Sequence, residues 1–174
     1  MPTASPTPTK PPCWPNDPDW LDGRSELNLA SSNFLKAYWD ADVLDSYGVP
    51  PGTIIGSDDP FQVRFRVELV GDLWQCICAS WCFDIGFTAI GRGPNFNLSD
   101  VIDPSKLEIT DWRGCDTTCI ELVVTVPAGT IPSDKCGTVY ELAGMYELHC
   151  CDGHVGLVGY EALEEYQFYF RHNP

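Results

Sequence analysis

Nine cysteines supply the side chains of this chain that are best suited to chemistry. One of them, Cys13, stands alone near the start, and the others follow in a series: Cys76, Cys78, Cys82, Cys115, Cys119, Cys136, Cys150 and Cys151. Thiols at this density form disulfides in an oxidising compartment, or pack as small buried hydrophobes in a reducing one. Because the count is odd, at least one thiol stays free or pairs with another chain. Spacing does not decide which cysteines pair, so both chemistries stay open.

Metal coordination is a third interpretation, because structural zinc sites take paired ligands from two places in the chain. Cys78 and Cys82 with Cys115 and Cys119 fit that pattern loosely. A second group of residues that suit zinc or copper lies near the C-terminus and comprises His149, Cys151 and His154. A strand end followed by an Asp-Gly turn explains that segment more simply, and we favour the turn. The sequence therefore assigns no metal ligand and no cofactor.

The sequence also lacks calcium-binding and catalytic motifs. Asp17, Asp19 and Asp22 precede a glycine, but they lack the alternating ligand spacing of an EF-hand loop. His149 is adjacent to Cys150 on a predicted strand, where neighbours face opposite ways, so the two do not make a nucleophile and its base. The chain also has no Gly-x-Ser-x-Gly, His-Glu-x-x-His or dinucleotide-binding motif. We therefore expect a protein that is not an enzyme.

Charge and hydropathy exclude several classes of partner. Ten basic against 25 acidic residues give a formal charge of −15, which opposes binding to nucleic acid phosphates. No apolar run approaches the roughly 20 residues of a membrane-spanning helix. The N-terminal residues lack the apolar segment of a secretory signal, which predicts a cytoplasmic protein by default. Export by a non-classical route to the cell exterior or to a particle remains open, and it would reconcile the cysteines with disulfides.

Hydrophobic residues alternate with polar ones in segments that Gly and Pro turns separate, and this period of two predicts strands. The clearest run sets apolar residues inward at Phe61, Val63, Phe65, Val67 and Leu69. Further strands are predicted near residues 34–39, 80–90, 106–110, 120–126, 138–149 and 166–170, with one turn of helix at 161–165. About seven such strands without a long helix predict an all-β fold, a single antiparallel immunoglobulin-like β-sandwich. A barrel or a jelly roll remains an alternative.

The N-terminal segment differs from the rest of the chain, since residues 1–18 contain seven prolines. We expect an extended Pro/Thr-rich arm over residues 1–26 and the sandwich over 27–174. Four tryptophans are expected interaction residues: Trp14 and Trp20 in the N-terminal segment, and Trp74 and Trp112 beside turns, where exposure is expected. Those of the arm would dock into a neighbouring subunit or back onto the sheet.

These features predict a structural or adaptor subunit that binds other protein chains, including copies of itself, through its arm and its sheet edges. A small-ligand or carbohydrate-binding module that uses exposed aromatic residues is one alternative. A protein that binds zinc or calcium is another. Neither nucleic acid nor a membrane is an expected partner.

Overall fold

A computed structural model describes residues 13–14, 16, 25–28, 35–48, 54–71, 77–114, 117–133, 137–150 and 155–171. Ten strands occur in these residues: β1 Ser25–Asn28, β2 Lys36–Leu44, β3 Ile54–Gly56, β4 Phe61–Val70, β5 Cys78–Ile90, β6 Phe96–Asn97, β7 Glu108–Arg113, β8 Cys119–Val126, β9 Thr138–Cys150 and β10 Val155–Arg171. A single turn of helix, α1 (Leu98–Val101), and a 3-10 turn at Pro104–Leu107 separate β6 from β7. The chain is therefore all-β, as the alternation predicted.

The strands form two sheets. Sheet A has the order β1-β2-β4-β8 with antiparallel pairing throughout, and sheet B has the order β3-β10-β9-β5-β6, with β7 also paired to β5. The short β3 pairs with β10 in parallel, while the other pairs of sheet B are antiparallel. No helix in the described part of the chain is long and apolar enough to cross a membrane.

The core lies between the two sheets, where buried side chains of β2, β4 and β8 meet those of β5 and β9. The rings of Phe65 and Phe83 stack at 5.1 Å across this interface, and Trp39 packs edge-on against Tyr146, also at 5.1 Å. Gly144 permits a close approach of the two sheets, since a Cβ there would lie 3.2 Å from a ring carbon of Trp39. The period-two burial predicted for β4, β5, β8 and β9 is confirmed by the buried residues of those strands.

Two of the predicted secondary-structure elements need correction. The helical turn expected at 161–165 is part of β10, because pairing with β9 overrides the local helix propensity. Residues 161–163 pair with β9 in register, and a register shift between Leu163 and Gln167 accommodates the next three residues as an irregularity in this long strand. The strand expected at 106–110 begins later, at Glu108, because Pro104 starts a 3-10 turn before it.

Trp112 is buried, contrary to the exposure expected beside a turn. Its exposed fraction is 7%, and its ring packs edge-on at 5.5 Å against Trp81. The cause is a β-bulge in β7: Ile109 pairs with Trp81, and Trp112 pairs with Ala79, so two residues lie opposite one. Asp111 within the bulge has φ of 55°, a left-handed conformation that turns the next side chain inward.

Candidate protein-binding edge and tethered arm

The outer face of sheet A carries a ladder of opposite charges. Asp40 and Asp42 on β2 lie opposite Arg66 and Arg64 on β4 in the strand register. Arg64 donates to Asp42 at 2.7 Å, and Arg66 donates to Asp40 at 2.7 Å and to Asp42 at 2.8 Å. Opposite charges across a strand pair stabilise a sheet, and Arg66, only 2% exposed, depends on these carboxylates because a buried charge without partners is costly.

Two residues of the N-terminal segment, Cys13 and Trp14, lie against sheet A. Cys13 forms a disulfide with Cys119, the first residue of β8, across 106 residues of sequence. The next residue, Trp14, is half-buried, with its ring centroid 5.6 Å from the guanidinium carbon of Arg66. A cation over an aromatic face at this distance is attracted by the ring quadrupole. Of the two docking modes considered for Trp14, the structure therefore shows the one onto the chain's own sheet.

Strand β8 lies at the end of sheet A, next to β4, and every second residue of β8 forms backbone hydrogen bonds with β4. Leu69 donates its amide to the carbonyl of Thr118 at 3.0 Å, and the register continues unbroken along both strands. In an antiparallel pair, residues then alternate between bonding the partner strand and pointing away from it. The amides and carbonyls of three residues therefore point away from β4, in the plane of the sheet: Glu121, Val123 and Thr125. We call these three residues the outward β8 positions.

Cys119, which also follows this outward parity, has its backbone groups satisfied locally. Its amide donates to the hydroxyl of Thr117 at 3.1 Å, and the same hydroxyl donates to its carbonyl at 3.2 Å. All three outward β8 positions are exposed, and Val123 is 48% exposed. Among the residues the structure describes, no strand pairs with this side of β8. Within the described part of the chain, a regular edge is therefore open from residue 121 to residue 125.

The edge lacks the features that usually protect such strands. Natural sheets shorten their edge strands, bulge them, or place Lys and Pro on them. At the ends of sheet B, β3 has three residues and β6 has two, and β3 pairs only with the last three residues of the long β10. Strand β8 has eight residues with the sequence CIELVVTV, one charge, and no register shift against β4. A strand of this length and regularity, with one charge, is suited to pairing with another strand.

A cavity of about 210 Å³ lies on the outer face of sheet B, between β5, β9, α1 and the 3-10 turn. Its polar lining residues are Cys82, Asp84, Ser99, Glu108 and Glu147. The Asp84 carboxylate accepts hydrogen bonds from the amide and the hydroxyl of Ser99, which attaches α1 to the sheet. Small-molecule sites usually have volumes of about 300–1,000 Å³, so this cavity is small for a ligand site.

The thiol of Cys82 is free, and the cavity does not activate it. Burial raises the pKa of Cys82, and the neighbouring carboxylates of Glu108 and Glu147 raise it further. The reactive form of cysteine is the thiolate, so a raised pKa makes this thiol a weak nucleophile at neutral pH. His149 lies on the same face, but its Nε2 is 3.0 Å from the Glu147 carboxylate, so this nitrogen is engaged with Glu147 and not with the thiol.

The zinc interpretation loses half of its expected ligands. Cys78 and Cys119 are both disulfide-bonded and so have no thiolate to offer a metal, while Cys82 is a free thiol. Within the described ranges, no group of three or more His, Cys, Asp and Glu side chains is placed to hold a metal ion. Cysteine chemistry here is thus mixed, with disulfides and a free thiol in one chain.

Several predicted site residues lie outside the described residues: Trp20, Trp74, Cys76, Cys115, Cys136, Cys151, His154, Asp17, Asp19 and Asp22. Cys150 ends β9. The structure brings together Trp14, Cys13 and Cys119 on sheet A, whereas Trp112 lies in the core. Sequence reasoning did not find the outward β8 positions. Their signal was the run of β-formers after Cys119 with one charge, but only the sheet order shows that this strand is terminal.

Comparison with known proteins gave no relative: no family model, no curated protein and no solved structure matches the chain.

Proposed function

We propose that this chain is a non-enzymatic structural or adaptor subunit that binds other protein chains in a larger assembly, and that the open edge of β8 is its main contact. The observation that carries the proposal is the set of outward backbone groups at Glu121, Val123 and Thr125 on an exposed strand. Backbone groups in this arrangement add an extended strand from a partner, with pockets or cross-strand side chains supplying specificity.

The tethered arm fits the same role. The disulfide to Cys119 fixes Cys13 beside the edge, so the part of the arm before it joins the body at the contact surface. Disulfides persist in oxidising compartments, which favours work outside the reducing cytoplasm, at a cell surface or on a particle. We retain the immunoglobulin-like arrangement as part of this proposal, because sandwiches of that kind serve as rigid bodies for assembly.

The carbohydrate alternative has less support. Trp39, Trp81 and Trp112 are buried in the core, and Trp14 lies half-buried over Arg66. Sugar-binding surfaces use exposed aromatic faces, which these four side chains do not provide.

The proposal is tested by removing one outward donor without changing the fold. Val123→Pro deletes an amide that does not bond β4, and proline is tolerated where a strand amide faces solvent. Val123→Thr is the matched control, since it keeps the amide and the β-branched shape. Each variant would be produced in its native cells, and the complexes in the extract sized by chromatography, with cross-links mapped by mass spectrometry.

We expect the parent chain and Val123→Thr to occur in complexes larger than the 19.3 kDa chain, with cross-links to residues 119–126. Val123→Pro should elute as a folded chain outside those complexes. A folded Val123→Pro protein that stays in the complexes would overturn the proposal, as would a parent chain that is never found in any complex. A second variant that lacks residues 1–12 but keeps Cys13 and Trp14 measures the contribution of the arm.

A further inference from the structure

We infer that the strand added to β8 is the β8 strand of a second copy of this chain, so that two sheets A join across a two-fold axis at Val123. This inference rests on the proposed function and names its partner. Two properties of β8 point to this partner: the set of residues whose backbone groups face away from β4, and the match of the strand sequence with itself when two copies run antiparallel.

The hydrogen-bond parity limits the registers in which two copies can pair. An outward position must face an outward position, because only those residues have backbone groups directed at the partner strand. With Val123 opposite Val123 of the second copy, Glu121 lies opposite Thr125 and Thr125 opposite Glu121. Every outward β8 position then exchanges two backbone hydrogen bonds with its counterpart.

Neighbouring registers are worse for identifiable reasons. A register with Glu121 opposite Glu121 places two carboxylates face to face, which destabilises a strand pair. A register with Val123 opposite Thr125 brings Glu121 opposite Pro127, which has no amide to donate. A register with Glu121 opposite Val123 brings Thr125 opposite Cys119, whose groups are already bonded by Thr117. The register centred on Val123 is the one that leaves no outward group unpaired.

Side chains agree with this register. Two Val123 side chains, each 48% exposed in the single chain, meet on the outer face and bury β-branched surface. The opposing effect is net charge, because each copy carries −15 and two such bodies repel at low ionic strength. Salt screens this repulsion over a Debye length of about 10 Å at 0.1 M, while backbone hydrogen bonds are much less affected. Dimerisation is therefore expected to strengthen as salt is added, which is opposite to the behaviour of an interface built on ion pairs.

Sedimentation velocity of the purified full chain, over a range of concentrations in low and high salt, tests the inference. The parent chain and Val123→Thr should form a dimer whose fraction rises with salt, and Val123→Pro should remain a monomer with an unchanged circular dichroism spectrum. Thr125→Lys tests the register, because it sets Lys opposite Glu121 twice in each dimer. It should lower the dissociation constant of the dimer by about two- to thirtyfold, because each of the two opposite-charge pairs contributes about 0.2–1 kcal/mol.

The matched control is Thr110→Lys, which changes the net charge equally at an exposed position of β7 in sheet B. Equal dimerisation by Thr125→Lys and Thr110→Lys would overturn the register, and a dimer that survives Val123→Pro would overturn both this inference and the β8 edge as the contact. A parent chain that stays monomeric at every concentration and salt would overturn the second copy as partner. The proposed function would still stand if complexes from cells then showed cross-links to residues 119–126 that Val123→Pro abolishes.

Discussion

Cys13 and Cys119 are separated by 106 residues in the chain, yet their sulfur atoms are bonded, and the bond lies where the arm meets the first residue of the edge strand. One residue further along the arm, Trp14 covers the guanidinium of Arg66. The disulfide thus connects two features of the molecule: Trp14, which lies over the charged face of sheet A, and the strand β8 beside it. Because the bond closes a long loop of the chain, its loss should lower the stability of the fold.

We expect Cys13→Ser/Cys119→Ser to lower the free energy of unfolding by about 2–4 kcal/mol, because the disulfide restricts a long loop in the unfolded chain. Urea denaturation without reductant measures the change. Replacing both cysteines avoids a new free thiol that could pair wrongly. The single variant Cys13→Ser should lose about as much stability as the double variant, and a double variant as stable as the parent would contradict the tether.

Gly144 reports on the packing between the sheets. Gly144→Ala adds a Cβ at 3.2 Å from both Trp39 and Ala41, so we expect a loss of about 1–3 kcal/mol from overpacking a closed core. Gly86→Ala is the control, since a Cβ there meets its nearest neighbour at an ordinary 3.5 Å. Thermal unfolding followed by circular dichroism compares the two, and equal melting temperatures would show that the sheets are not this close.

Asp111 is a position where a substitution is expected to raise the stability of the protein. Its φ of 55° lies in the left-handed region, where glycine has no steric penalty. We therefore expect Asp111→Gly to raise the free energy of unfolding by about 1 kcal/mol and Asp111→Val to lower it, because a β-branched side chain suits this conformation least. The side chain is exposed, so few contacts are lost in either variant. A destabilised glycine variant in urea denaturation would argue against the bulge.

Cys82 should react slowly with iodoacetamide at neutral pH, since its pKa is raised above the ordinary value of 9.0. The midpoint of the pH–rate curve, followed by mass spectrometry of the Cys82 peptide, is expected above that value. Glu108→Gln and Glu147→Gln should each move the midpoint down, because each removes a negative charge beside the thiolate. Glu141→Gln, on the same face of β9 but opposite Thr88, is the control and should leave it unchanged.

The sign of the accompanying stability change follows from the same shift. The fold favours the protonated thiol, so this group leaves stability unchanged below the unfolded-state pKa and lowers it as pH rises from there through the folded-state pKa. A midpoint of the pH–rate curve for Cys82 alkylation at or below 9.0 would show that burial and the two glutamates do not raise the pKa of this thiol.

The all-β class and the inward faces of the long strands could be predicted from sequence, because alternation at Phe61–Val70 or Thr138–Cys150 reports burial directly. The burial of Trp112 could not, since it depends on one residue with positive φ that rotates the strand after it. The pairing of Cys13 with Cys119 could not either, because nine cysteines allow many pairings and only the fold brings two of them together.

The candidate site was the least predictable feature. Glu121, Val123 and Thr125 look like the polar face of any strand, and their importance comes from the position of β8 at the end of sheet A and from the direction of its hydrogen bonds. Both properties are long-range, because they depend on the antiparallel pairing of β8 with β4, far away in the sequence.

Amide hydrogen exchange along β8, followed by nuclear magnetic resonance at low and high protein concentration, tests the central claim most directly. At low concentration the account predicts protected amides at Ile120, Leu122 and Val124, which bond β4, and rapid exchange at Glu121, Val123 and Thr125. At high concentration and high salt, protection should appear at those three outward amides in particular. Protection of all six amides at every concentration would contradict the open edge, and continued rapid exchange at the outward three in the assembled protein would contradict strand addition.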